Sequence, residues 1–338
     1  MRRRGLSIFC LLFFTWQTSV CCLGQQQQSR EGHIRTPDGV RLFYKVVGGG
    51  PRVLIAVHGG PGNTLQSLLP DLEPLAKGRT VIYYDQRGGG LSDLIKDRSR
   101  LTVSKHVADL EAVRLHFKLD KVTLLGNSWG GMLIASYAAA HPDRVERMIL
   151  HNPGEPTKAF ATEQVEEIQS RMDQRYDRAR RERFRVVSNP QTWVKSSDPR
   201  AVCREFFQIL LPVYVSRPES LARLKADVCS GPEEAVRYQQ VVNMHVWSSL
   251  GDDFNLLPAL GVVKAPVLVI HGAADPIPVE SSEAWASAMP GARLLVIKDA
   301  GHISHVEQPE VFFRAVETFL GGNWPPEAKR IPPPEEKR

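Results

Sequence analysis

At 338 residues and 42% hydrophobic, the chain is long enough to bury one large core as a single domain carrying an insertion, and short for three domains. Its formal charge is +6, but Arg2, Arg3 and Arg4 fall in a leader-like segment, and without them the charge is +3. So small and dispersed an excess excludes an electrostatic binder of DNA or RNA.

The three arginines precede an apolar run from Leu6 to Val20, small residues around Cys22 and Gly24, and the polar stretch Gln25 to Ser29. A charged start, an apolar middle and a small-residue exit read as a secretory signal over residues 1–24. An uncleaved anchor is the alternative, although the run is short of the roughly 20 residues a span needs. Export to a periplasmic or extracellular space is therefore expected, with membrane contact only through this segment if it is retained. Residues 25–32 read as a polar linker.

Val40–Val47 reads as a strand turned by Gly48-Gly49-Gly50-Pro51, and Val53–Val57 as a short buried parallel strand ending in glycines. Leu68–Leu75 has helical spacing and Val81–Tyr84 is another strand. Val103–Phe117 follows as a helix capped by Thr102 or Ser104. Lys121–Leu125 reads as a strand, Met132–Ala140 as a small-residue helix stopped by Pro142, and Val145–Leu150 as a strand. This alternation over 33–152 predicts an α/β fold with a mostly parallel sheet and crossover helices.

From about Pro153 to Leu260 the pattern becomes helix after helix: Gln164–Phe184, Val202–Leu211 and Glu233–Leu250. Strand and helix alternate again over 261–320, at Pro266–Ile270, Glu280–Met289, Leu294–Ile297 and Val311–Leu320. An inserted helical block of this kind predicts a lid. Residues 321–338, rich in Pro and charge, read as an unstructured tail. Of five cysteines, only Cys203 and Cys229 lie beyond the leader. In an oxidising compartment they could pair; two separate buried thiols are the alternative. In Arg171–Arg185 the acids Asp173, Asp177 and Glu182 interleave with the arginines, which predicts an exposed, salt-bridged helix.

The chemistry is carried first by Gly126-Asn127-Ser128-Trp129-Gly130, which stands where a strand ends and an alanine-rich helix begins. There a G-x-S-x-G makes a tight elbow that presents its serine above the sheet. A serine nucleophile needs a base and an acid that orients the base. Asp275 and His302 each lie in a loop just past a strand and follow Ser128 in the expected order. Both loops lie at the carboxyl edge, where parallel sheets bind ligands. Glu155, a few residues past Val145–Leu150, is a weaker alternative acid. His305 reads as facing solvent or the sheet, and His271 as structural. The amide of Trp129 and that of Gly60, in His58-Gly59-Gly60-Pro61-Gly62, are the candidate oxyanion donors. His58 itself reads as shaping its loop. No cofactor or metal is called for.

HGGPG, Asp85-Gln86-Arg87-Gly88-Gly89-Gly90-Leu91-Ser92 and the GNSWG elbow together resemble the proline iminopeptidase family of α/β-hydrolases. The resemblance covers about Val40–Pro153 and Pro266–Leu320. It implies the α/β-hydrolase fold and a serine aminopeptidase that removes an N-terminal residue, often proline, from a short peptide. Such an enzyme holds the substrate's free amine with carboxylates facing the pocket. The helical block offers Glu205, Glu219, Glu233 and Glu234, though each reads more simply as part of a solvated helix face. Asn127 stands where glycine is usual in that family, and Leu91 where a longer polar residue is common. The Gly-Asn-Ser-x-Gly-Gly elbow is also similar to that of hydrolases cleaving carbon–carbon bonds, and an esterase or lactonase would use the same triad. Dehalogenases and epoxide hydrolases of similar fold need an aspartate where Ser128 stands. A non-catalytic binding protein would have no use for a full triad in order.

Overall fold

The computed structural model describes residues 29–332; the leader reading over 1–24 and the last six residues lie outside them. Eight strands form one sheet: β1 (Ser29–Arg35), β2 (Arg41–Gly48), β3 (Val53–Val57), β4 (Thr80–Tyr84), β5 (Val122–Ser128), β6 (Val145–Pro153), β7 (Val267–Gly272) and β8 (Ala292–Ile297). Their spatial order is β1-β2-β4-β3-β5-β6-β7-β8. β1 and β2 run antiparallel to their neighbours, and every pairing from β4 to β8 is parallel. The short apolar runs of the central strands suit this placement, because helices cover both faces.

Alternate residues of each strand serve two different cores. Ile55, Val57, Leu124, Val267 and Val269 pack with helices α2 (Val103–His116), α3 (Trp129–Ala140) and α9 (Val279–Ala288). Leu54, Ala56, Leu125, Leu268 and Ile270 pack on the other face, against α1 (Leu69–Leu72) and α11 (Pro309–Leu320). Thr102 caps α2 by accepting from the Lys105 amide at 3.3 Å. A one-turn α10 (Ser304–Glu307) precedes α11.

Between β6 and β7 lie α4 (Lys158–Arg175), α5 (Arg178–Ser188), α6 (Pro190–Lys195), α7 (Pro199–Tyr214) and α8 (Glu233–Ser248). This block has its own small core around Val187, Trp193, Val202, Ile209 and Val236. The single charged helix expected over Gln164–Phe184 is two helices, broken where Asp177 accepts from the Arg180 amide at 2.8 Å and starts α5. Cys203 of α7 and Cys229, in the loop before α8, form a disulfide.

Two boundaries read from composition are corrected. The linker expected at 25–32 runs into β1, whose residues 29–35 pair with 41–47 of β2. Tail residues 321–332 pack on the domain. Trp324 lies 5.1 Å from Phe319 and under the Arg293 guanidinium, and Lys329 exchanges two 2.8 Å backbone hydrogen bonds with Leu294 of β8. Among the described residues no helix is long and apolar enough to cross a membrane.

Candidate active site

Ser128 closes β5 and Trp129 opens α3, so the chain reverses within one residue. The turn forces Ser128 to φ 55° and ψ −124°, a left-handed backbone that costs a non-glycine residue about 1–3 kcal/mol. The flanking glycines are steric necessities. A Cβ on Gly126 would lie 2.2 Å from the Gly130 carbonyl oxygen, and one on Gly130 would lie 2.2 Å from that of Val57. The Gly154 amide, just past β6, donates to the Ser128 carbonyl at 2.9 Å and pins the elbow from its other side.

Asp275 sits beyond β7 and His302 beyond β8, as expected from the sequence. The His302 Nδ1–H donates to Asp275 Oδ2 at 2.8 Å, which fixes the tautomer and leaves Nε2 as the acceptor. Burial opposes charge on both groups, but their mutual attraction and hydrogen bond prevail. His302 is held above the ordinary histidine value and Asp275 below the ordinary carboxylate value. The His302 amide donates to the Tyr214 carbonyl at 2.8 Å, and the Tyr214 ring stands edge-on to the imidazole at 5.1 Å. Ser128, His302, Gly60 and Trp129 all line one cavity of about 650 Å³ between the sheet edge and the helical block. Trp129 is the first residue of α3, so its amide has no acceptor within the helix.

Behind these residues runs a buried hydrogen-bond chain that the sequence reading missed. Asn127 Nδ2 donates to His151 Nδ1 at 3.2 Å, and His151 Nε2 donates to Ser304 Oγ at 3.0 Å. Ser304 passes its proton side to Asn152 Oδ1 at 2.9 Å, and Asn152 Nδ2 donates to Asp275 Oδ2 at 2.6 Å. Because His151 Nδ1 accepts from the Asn127 amide, the ring carries its proton on Nε2 alone and is neutral; burial lowers its pKa in the same sense. Asn127 thus joins the Ser128 turn to the Asp275 loop. Asn152 takes φ 43° to reach Asp275. The only sequence signal was two adjacent polar residues, His151-Asn152, directly after the apolar run Met148–Leu150.

The remaining motif residues form scaffolding. His58 Nδ1 bonds the Gly59 carbonyl at 2.9 Å, and burial lowers its pKa to about 4. Gln86 Nε2 donates to the His58 carbonyl at 2.9 Å while its Oε1 accepts from the Trp129 indole at 2.8 Å. The DQRG segment therefore couples the HGGPG loop to the elbow. Asp85 accepts from the Leu65 and Leu91 amides, both at 2.7 Å. Buried Arg87 makes a two-pronged pair with Asp109 at 2.7 and 2.6 Å. His271 bonds Ser282 and is structural. His305 does not reach solvent: it is buried against His151 and Phe312, and its pKa falls to about 3.

In the helical block, Glu205 pairs with Arg183, and Glu233 and Glu234 pair with Arg237. Glu219 is exposed. None of the four lines the cavity. Of the acids interleaved in the basic stretch, Asp173 pairs with Arg181 and Glu182 with Arg185, while Asp177 caps α5; Arg171 pairs with Glu167 outside the stretch. Arg171 also donates to the carbonyls of Ala274 at 2.7 Å and Asp275 at 3.2 Å, holding the Asp275 loop from α4.

Fold and site together are those of a hydrolase, and residues 52–309 match the family model of the alpha/beta hydrolase fold. The chain belongs to the α/β-hydrolase family. Within it, the chain is 30% identical to a proline iminopeptidase of Heyndrickxia coagulans over 297 residues, covering 86% of this chain and 98% of that one. The solved proline iminopeptidase of Mycobacterium smegmatis superposes with a TM-score of 0.62 at 23% identity, over 87% of this chain and 98% of its own. A thermophilic esterase of Thermogutta terrifontis does so with a TM-score of 0.63 at 24% identity, over 87% and 98%.

Proposed function

We propose that the chain is a serine aminopeptidase of proline iminopeptidase type, acting on short peptides. Ser128 is the nucleophile, His302 the base and Asp275 the residue that holds it. His302 Nε2 takes the Ser128 proton as Oγ attacks the scissile carbonyl, and the amides of Gly60 and Trp129 receive the developing oxyanion. The imidazolium returns its proton to the leaving amine. Water then attacks the acyl-enzyme, again through His302, releasing the acid and restoring the serine. The block from α4 to α8 acts as the lid. One observation carries this reading: a serine at positive φ shares a cavity with a histidine whose Nδ1 is committed to a buried aspartate. The 30% identity to a proline iminopeptidase over nearly its full length supports the choice of substrate class.

A second reading, an esterase or lactonase with the same triad, is favoured by the lid carboxylates being paired away from the cavity. Release of a fluorogenic amine from prolyl and alanyl amides separates the two, run beside an N-blocked prolyl amide and a short-chain aryl ester. Turnover that blocking abolishes supports the aminopeptidase; ester turnover alone refutes it. Ser128→Ala should lose about 10⁶ in kcat and all fluorophosphonate labelling with the fold retained. Unchanged turnover would sink the nucleophile. We also propose export, which the leader pattern and the Cys203–Cys229 bridge support.

A further inference from the structure

Two carboxylates line the cavity among the described residues, Glu155 and Asp227. Asp227 is exposed and accepts from the Cys229 amide at 2.9 Å. Glu155 is only 2% exposed, and its carboxylate bonds to nothing beyond its own backbone. Other buried carboxylates near the site are committed: Asp275 to His302, and Glu307 to the amides of Ser216 and Gly301. A buried carboxylate with no partner beyond its own amide is costly to keep, so its presence at a reactive cavity points to a partner that arrives with the ligand.

We propose that Glu155 is the residue that receives the cationic α-amino group of the substrate, selecting the acyl half by charge. The inference rests on the aminopeptidase reading above and assigns its amine subsite to the sheet edge rather than to the lid. An α-amine is two bonds, about 2.5 Å, from the scissile carbonyl carbon. Its counter-charge must therefore come from beside the nucleophile. Glu155 follows Gly154, whose amide is bonded to Ser128 and whose added Cβ would lie 3.7 Å from the Trp129 nitrogen. His302, Asp275 and Tyr214 are the titratable groups that face Glu155. Burial raises its pKa to about 7. An ammonium in contact would draw it back to the ionised form.

The test compares aryl esters of alanine and of propionic acid, which differ only in the amine and which any serine hydrolase of this fold can turn over. The wild type should prefer the alanyl ester in kcat/KM. Glu155→Gln should lower the alanyl-to-propionyl ratio by roughly 10- to 100-fold, the size of a lost charged hydrogen bond. Glu155→Asp, which keeps the charge on a shorter arm, should fall between them and serves if the Gln variant does not fold. Fluorophosphonate labelling of each variant reports an intact nucleophile independently. A ratio unchanged in Glu155→Gln overturns the assignment of Glu155 and leaves the aminopeptidase standing. A wild type with no preference for the amine overturns both, while labelling at Ser128 would still uphold the hydrolase.

Discussion

Glu155→Gln should also stabilise the protein relative to the wild type, by an amount that grows with pH above 4.5. The carboxyl titrates near 4.5 in an unfolded chain and at about 7 in the fold, because burial penalises its charge. At about 1.4 kcal/mol per pH unit between those values, ionised Glu155 costs the fold about 3 kcal/mol. Below pH 4.5 both states hold the proton and the cost vanishes. Between the two values the folded chain keeps a proton that the unfolded chain has lost, so stability falls as pH rises. Above pH 7 the full cost remains. The Gln side chain has no such titration, and any penalty for burying its amide is the same at every pH. Its advantage over the wild type should therefore grow by about 3 kcal/mol from pH 4.5 to pH 8, or roughly 5–10 °C in Tm. Denaturant unfolding of both proteins across this range, with the disulfide intact, measures the difference. Repeating it in a His302→Gln background removes the neighbouring titration. An advantage independent of pH, or larger at pH 5 than at pH 8, would refute the claim that Glu155 is an uncompensated buried acid.

Other consequences follow from the same geometry. Because Asp275 raises the His302 pKa, and only neutral imidazole can take the Ser128 proton, kcat/KM for a neutral ester should climb with pH through a midpoint above 6.5; a midpoint below that value contradicts the pairing. The Cys203–Cys229 bridge closes a loop with a sequence separation of 26, so Cys229→Ser should lose about 3.5 kcal/mol by the chain-entropy relation. Equal Tm with and without reductant would argue against it. A methyl on Gly59 would stand 2.9 Å from the Ser128 Cβ; Gly59→Ala should slow fluorophosphonate labelling about 100-fold with unchanged circular dichroism, and undiminished labelling would show that the loop yields freely.

What the sequence made legible was what short-range sterics impose. The elbow could be read because a strand-to-helix reversal admits only glycine at 126 and 130. The strands could be read because two-sided burial requires unbroken aliphatic runs such as Val53–Val57. The places of Asp275 and His302, each in a loop just past a strand, followed from the order of strands. What stayed hidden depended on partners distant in sequence. Ser29-Arg30-Glu31-Gly32 looks like linker until β2 pairs with it, and the proline-rich tail looks unstructured until Phe319 and Arg293 receive Trp324. That tryptophan, among prolines and charges, was the available clue. His305 could not be placed because a histidine three residues after another carries no periodicity of its own. The Asn127–His151–Ser304–Asn152 chain joins residues up to 177 positions apart, and only the fold brings them together.

The division between chemistry and selectivity also has a structural cause. The motif that most sharply marks the resemblance, DQRG, does not line the cavity beside Ser128: Gln86 ties the HGGPG loop to Trp129, Asp85 ties its own turn to Leu65, and Arg87 anchors α2 through Asp109. Its presence argues for a rigid oxyanion loop, and so for acyl transfer, whatever the acyl group is. Selection must come from side chains that face the substrate. In the helical block Glu205, Glu233 and Glu234 are spent on Arg183 and Arg237, and Glu219 does not line the cavity. Charge recognition then passes to the sheet edge, where Glu155 stands one residue beyond the amide that holds the nucleophile. There Glu155 meets the amine and Ser128 the scissile carbonyl from one rigid unit, so a misplaced α-carbon loses both contacts together. Lid carboxylates, by contrast, would have to close on the substrate before they could select it.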